Sequence, residues 1–140
     1  MKDQQVVLTN GCFDLLHVGH VHLLREAAQQ GDVLIVAINS DDSVRRLKGG
    51  NRPLIAADER AALLAAQNSV EAVGVFDEDT PRELLEEGRP DILVKGGDYR
   101  EDQVVGRRMI DDWGGSVVLI PLVPDRSTSG LVERIRSMDS

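Results

Sequence analysis

The chain is poor in aromatic residues: its 140 residues hold one Trp, one Tyr and two Phe. Surfaces that bind nucleic acid by stacking bases need several such rings, so an aromatic platform is excluded. An excess of positive charge is missing as well. With 24 Asp and Glu against 16 Lys and Arg the formal net charge is −8, whereas affinity for a polynucleotide rests largely on cations meeting phosphates. No nucleic-acid partner is expected. Cys12 is the single cysteine, which rules out an intrachain disulfide and fits a reducing compartment. No apolar run approaches the roughly 20 residues that cross a bilayer, and Met1-Lys2-Asp3-Gln4-Gln5 lacks a signal-peptide pattern. The expectation is a cytoplasmic protein with no membrane partner.

What the chain does have is aliphatic residues. Hydrophobic positions make up 41%, mainly Val, Leu, Ile and Ala, enough for one domain over residues 1–140 with a real core and too short for two. Val6-Val7-Leu8 is a short apolar run ended by Thr9-Asn10-Gly11, as in a strand buried on both faces. Leu23, Leu24, Ala27 and Ala28 recur at helical spacing between about Val18 and Gln30, with Gly31 as the stop. Val33 to Ile38 is the strongest strand, so the first two strands should be parallel about a right-handed crossover. Asn39-Ser40-Asp41-Asp42 offers several N-caps for a short helix through Leu47, and Lys48 to Pro53 reads as a mobile basic loop.

The alternation continues. A helix from Asp58 to Gln67 precedes a strand from Val70 to Phe76, and Thr80-Pro81-Arg82-Glu83 forms a capping-box pattern for a helix to Glu87. Strand Ile92 to Lys95, helix Gln103 to Trp113, strand Val117 to Ile120 and a last helix from Gly130 to Arg136 follow. Strands alternating with helices predict an α/β fold, a three-layer α/β/α sandwich around a Rossmann-like five-stranded parallel sheet. The acidic segments Asp77-Glu78-Asp79 and Glu86-Glu87 read as solvated surface.

In such a sheet, ligands bind beyond the carboxyl ends of the strands, where strand order switches. Asn10 to His20, Asn39, Lys95 to Asp98 and Arg126 to Ser129 all follow strands and should converge there. The first of these stretches leaves a strand by a Gly turn and enters a helix, whose free N–H groups favour a phosphate. His17 and His20 can share one side of that helix start, while His22 is rotated roughly 200° from His20. Three uses remain open for the pair: phosphate contact, helix capping or metal ligation. No spacing of Cys, His or carboxylates favours a zinc site, so no protein metal site is assigned.

Gly11-x-Phe13-Asp14-x-x-His17-x-Gly19-His20 resembles the signature of the cytidylyltransferase-like nucleotidyltransferases, in which an HxGH element binds the triphosphate. The resemblance runs along nearly the whole chain. Thr9 to Asp14, Asn39-Ser40-Asp41, Arg46 to Gly49, Arg52-Pro53 and Val94 to Tyr99 are most similar to the adenylyltransferase of bacterial ADP-heptose synthesis, in its form without a kinase domain. That family transfers AMP from ATP to D-glycero-D-manno-heptose 1-phosphate and releases pyrophosphate. Two departures stand out: Ser127-Thr128-Ser129 replaces the usual Ser-Thr-Thr, and Arg126 precedes it, as a phosphate contact or in solvent.

The resemblance implies roles. A sugar phosphate oxygen attacks the α-phosphorus in line, so catalysis rests on positioning and charge stabilisation rather than on a nucleophilic side chain. His17, His20 and Lys48 would be the catalytic residues; for Lys48 a plainly solvated lysine is the competing reading. Thr9, Asn10, Gly11, Phe13, Gly96, Gly97, Asp98, Ser127 and Thr128 would hold the nucleotide, although Ser127 and Thr128 would look the same as plain helix caps. Asp14, Arg60 and Lys95 would stand on the acceptor side. Asp14 also suits an architectural role, organising backbone N–H groups of the turn, and Arg60 an ion pair with Asp58 or Glu59. Cys12 needs no redox role. Mg²⁺ would be held mainly by triphosphate oxygens and water, and the superfamily leaves a homodimer open. The alternatives are a cytidylyltransferase acting on glycerol 3-phosphate, disfavoured by Lys95-Gly96-Gly97-Asp98-Tyr99, and a non-catalytic nucleotide-binding module.

Overall fold

A computed structural model describes residues 4–97, 103–121, 123–124 and 126–138. Val33 to Asn39 forms β2, and its side chains divide by parity: Leu34, Val36 and Ile38 enter one apolar cluster, Ile35 and Ala37 the other. A strand covered on both faces needs apolar residues at every position, which is why this run does not alternate with polar ones. β1 (Val6–Gly11), β4 (Ile92–Gly96) and β5 (Ser116–Ile120) divide in the same way.

With β3 (Ala72–Phe76) these strands form one parallel sheet in the order β3-β2-β1-β4-β5. On one face lie α1 (Val18–Ala28) and α3 (Ala57–Ala65), which bring Leu24, Ala27 and Leu64 to the core. On the other lie α4 (Arg82–Gly88) and α5 (Arg107–Asp112), which bring Leu85 and Ile110. Each such aliphatic side chain, fully removed from water, contributes about 1.5–3 kcal/mol before chain entropy is charged against it. α2 (Asp41–Lys48) follows β2, and α6 (Thr128–Ser137) closes the described chain. This is the expected Rossmann-like α/β/α sandwich.

Strand order reverses between β1 and β4, because the chain steps from β1 to β3 in one direction and then crosses back. The β1–α1 turn and the end of β4 therefore border a crevice that no crossover fills. Among the described residues, no helix is long and apolar enough to cross a membrane.

Three local expectations need correction. The helix expected from Gln103 begins at Arg107, because Gly106 takes φ 92° and a Cβ there would collide with Leu85 Cδ1. Thr80 does not cap α4: the N-cap is Pro81, whose carbonyl accepts from Leu85 N at 2.9 Å, with no side-chain cap. Proline suits that place because it has no N–H to satisfy. The third strand starts at Ala72 rather than Val70, whose N–H closes the turn onto Gln67 O.

Candidate active site

A cavity of about 730 Å³ opens at the carboxyl edge of the sheet. It is bordered by the β1–α1 turn, the end of α2, the β3–α4 turn, the end of β4, residues 103–105 and the start of α6.

The β1–α1 turn brings both histidines to this space. His17 is the N-cap of α1: its Nδ1 accepts from Gly19 N at 3.0 Å, and His20 Nδ1 reaches back to accept from His17 N at 3.2 Å. The two imidazoles thus form a reciprocal capping box of the kind usually built from Ser or Thr with Glu. The glycine between them is required by this geometry. A Cβ on Gly19 would lie 2.7 Å from His17 Cε1 and 2.9 Å from its Nδ1. The rings stack with centroids 3.9 Å apart, and Phe13 supports His20 at 5.2 Å.

An imidazole nitrogen that accepts a hydrogen bond carries no proton, so the neutral ring must hold its proton on Nε2. Burial drives the histidines the same way. It lowers the pKa of His17, and it lowers that of His20 to about 4, with His17 adding to the effect. Each histidine therefore offers the cavity a neutral Nε2–H donor. Capping and ligand contact, posed by the sequence as alternatives, are compatible: one edge of each ring serves the helix and leaves the other for a ligand.

Phe13 and Leu15, on either side of Asp14, have φ of 50° and 55°, a region costly for residues with a side chain. The strain is held by Asp14, only 4% exposed. Its carboxylate accepts from Leu54 N at 2.8 Å and Ile55 N at 3.0 Å and lies 3.7 Å from the Arg52 guanidinium. Its carbonyl accepts from Thr128 Oγ1 at 2.7 Å. The turn is thus bound to the α2–α3 segment and to α6 at once.

Around this centre the cavity gathers Lys48, Arg52, Lys95 and Arg126. Lys95 is mostly buried, and desolvation lowers its pKa. Cys12 also borders the space, its thiol pKa raised by burial against the pull of Lys48, Arg60 and Lys95. Ser127 caps α6 by accepting from Gly130 N at 3.0 Å, which leaves its hydroxyl proton to donate. The starts of α1 and α6 lie side by side, with Arg126 Cβ 3.6 Å from the position a Cβ on Gly19 would take. Fixed N–H donors, two neutral imidazoles and several cations suit a polyphosphate.

The cytidylyltransferase-like family model matches residues 8–134. The chain belongs to that family of nucleotidyltransferases. It is 57% identical over 134 residues to the bifunctional protein HldE of Syntrophotalea carbinolica and 56% identical over 133 residues to that of Koribacter versatilis. These alignments cover 96% and 95% of this chain but 27% of either relative. Among solved structures, the lipopolysaccharide core biosynthesis protein of Thermoplasma volcanium aligns with a TM-score of 0.70 and 28% identity, over 86% of this chain and 98% of that one. Pantothenate synthetase of Thermus thermophilus, at 17% identity and a TM-score of 0.60 over 85% of this chain and 56% of its own, shares the fold.

In this cytidylyltransferase-like chain, Asn10, Gly11, Phe13, Asp14, His17, His20, Lys48, Lys95, Gly96, Ser127 and Thr128 all border the cavity. Four of the expected residues have polar groups engaged within the protein. Thr9 is buried between strands, with Oγ1 donating to Val94 O at 2.9 Å. Gly97 does not border the cavity and binds Ile120 O through its N–H at 3.0 Å. The Thr128 hydroxyl donates to Asp14 O and Leu15 O, so only the main chain of Thr128 has a donor left for a phosphate. Arg60 is completely buried outside the cavity. Its guanidinium donates to Ile55 O at 2.8 Å, Cys12 O at 2.7 Å, Asn39 O at 2.9 Å and Asp41 Oδ1 at 2.7 Å, so it meets neither a ligand nor Asp58 or Glu59. Asp98 lies outside the described residues.

Sequence reasoning missed the wall at the end of β3. Phe76, Asp79, Thr80 and Pro81 border the cavity there; Asp77 and Asp79 are exposed, as expected, and also bind Ser40 and Arg46. The signal was present, since the rule that selects loops after the other strands applies equally to β3.

Proposed function

We propose that this chain transfers AMP from ATP to a sugar 1-phosphate, D-glycero-D-manno-heptose 1-phosphate before others, giving ADP-heptose and pyrophosphate. The observation that carries the reading is the pair of neutral imidazole donors, fixed by the helix they cap, facing a cavity with Lys48, Arg52 and Lys95. A phosphate oxygen of the acceptor forms a bond to the α-phosphorus, and the bond from that phosphorus to the β-bridging oxygen breaks. Pyrophosphate leaves with the electron pair. His17 and His20 donate from Nε2 to phosphate oxygens. They do so without transferring a proton, which the anionic nucleophile does not require. Because their geometry is fixed by main-chain hydrogen bonds, little reorganisation is needed as charge develops. Lys48 and Lys95 screen the approach of one anion to the other.

Among the described residues, no group of three or more His, Cys, Asp or Glu side chains is placed to hold a metal ion, and the Asp14 carboxylate is engaged by N–H groups. We propose that Mg²⁺ enters on the triphosphate, whose oxygens would hold it and where it would neutralise charge on the leaving group. The adenylyl and heptose assignments are supported by the Lys95-Gly96-Gly97 segment, by the HldE relatives, and by a solved relative whose name refers to lipopolysaccharide core biosynthesis.

Pyrophosphate release measured for each nucleoside triphosphate with a panel of sugar and polyol phosphates tests the proposal. ATP with the heptose 1-phosphate should give the highest kcat/KM. A higher value for CTP with glycerol 3-phosphate would replace the substrates. ATP binding without release across the panel would replace catalysis with nucleotide sensing.

A further inference from the structure

The wall formed by the β3–α4 turn takes no part in the phosphate chemistry, and its own chemistry is opposite to that of the histidine side. Asp79 and Thr80 border the cavity there, beside Pro81, Val104 and Val105. The turn is not loose. Ser40 N donates to Phe76 O at 2.8 Å, Ser43 Oγ to Glu78 O at 3.2 Å, and Arg46 Nε to Asp79 Oδ1 at 2.8 Å. Arg46 also donates to Asp77 O. The side chain of Arg46 on α2 thus holds one carboxylate oxygen of Asp79, and no described residue bonds the other.

An ionised carboxylate accepts hydrogen bonds and donates none. Paired with Arg46 in a largely exposed ion pair, Asp79 adds no net cation for a phosphate and keeps an acceptor oxygen for hydroxyl groups, whereas Lys48, Arg52 and Lys95 favour the phosphate. The cavity therefore has a direction. From this polarity we infer that Asp79, oriented by Arg46, reads the hydroxyls of the acceptor: a sugar or polyol phosphate lies with its phosphate among the cations and its hydroxyl-bearing carbons against Asp79 and Thr80. Pro81, Val104 and Val105 meet the C–H faces between those hydroxyls. The inference rests on the proposed transfer to a sugar phosphate and deepens it, naming the residue that selects a hydroxylated acceptor. Arg46 is a positioning residue, acting through Asp79.

Steady-state kinetics with ATP and heptose 1-phosphate, joined to calorimetric titration with heptose 1-phosphate and with inorganic phosphate, tests this. Asp79→Ala should raise KM for the heptose 1-phosphate by about tenfold or more, the scale expected for a lost hydrogen bond to a charged group. The loss falls on KM rather than kcat, and KM for ATP and affinity for inorganic phosphate stay within about twofold. Arg46→Ala should move the same constant in the same direction by less. An unchanged sugar KM in Asp79→Ala, or an equal rise for ATP, overturns the inference while leaving AMP transfer intact. If the wild-type chain transfers AMP to no sugar phosphate, the functional reading fails instead. Calorimetry still decides the inference: weakened heptose 1-phosphate binding beside unchanged phosphate binding in Asp79→Ala supports it, and parallel behaviour of the two ligands sinks it.

Discussion

Lys48 ends α2 and Arg60 lies in the first turn of α3, and from sequence both look like cations for a phosphate. Arg60 is fully buried, and its guanidinium gathers the carbonyls of Cys12, Asn39 and Ile55 with the Asp41 carboxylate. Lys48 is exposed at the cavity, bonding no described residue. A planar fork with five donors can join several acceptors at a chain crossing, while a flexible ammonium is suited to meet a ligand that arrives. Charge alone therefore does not single out a candidate ligand contact; unused hydrogen-bonding capacity facing a cavity is the better guide. The histidines join the two cases, with Nδ1 tied to the backbone and Nε2 left for a ligand.

The largest effect should come from breaking the buried end. Arg60→Met leaves three carbonyls and Asp41 without their donor, and should lower the free energy of unfolding in denaturant by about 3–5 kcal/mol. A loss under about 1 kcal/mol would remove Arg60 from this role. His20→Ala should lower kcat at saturating ATP by about 100- to 1,000-fold, the scale of one lost donor to a developing charge; wild-type turnover would end the catalytic assignment. Lys48→Ala should reduce turnover by about tenfold with an unchanged far-UV circular dichroism spectrum, and its unfolding midpoint should barely move. Equal losses of stability in Lys48→Ala and Arg60→Met would erase the contrast between them.

The histidine pair adds a pH test. His20 is lowered from 6.5 to about 4, first by burial and then by His17. The unfolded chain thus binds the proton first, and this contribution to stability is present above pH 6.5 and lost as pH falls through about 4. Heteronuclear NMR should show the Nε2–H tautomer and a midpoint near 4; titration near 6.5 would refute the capped arrangement. The smallest effect should be that of Cys12→Ser, which keeps a small polar group beside Asn39 and should leave kcat within about twofold.

Much of this was legible in the chain. Apolar runs without alternation marked four strands buried on both faces, glycines marked the ends of two of them, and the histidine spacing placed two rings on one side of a helix start. Roles that depend on partners distant in sequence were hidden. Thr9 looked like part of a ligand loop because it adjoins Asn10-Gly11, yet Val94 claims its hydroxyl. Thr128 sits at a helix start, yet it supports the strained turn at Asp14. Asp79 belongs to an acidic run that is solvated surface as the sequence suggests, yet its contact with Arg46 beside the cavity joins residues 33 positions apart.

The sequence by itself determined the α/β alternation, the histidine-bearing turn between β1 and α1, and the family, because these follow from local periodicity and from residues close together in the chain. Only the tertiary structure decided which polar groups remain available. A side chain can face a ligand only if no distant carbonyl or amide has already taken its hydrogen bonds, and that is settled by contacts between segments. It is why Arg60 and Thr9 became internal ties, and why His17, His20 and Asp79 each kept one side for the cavity.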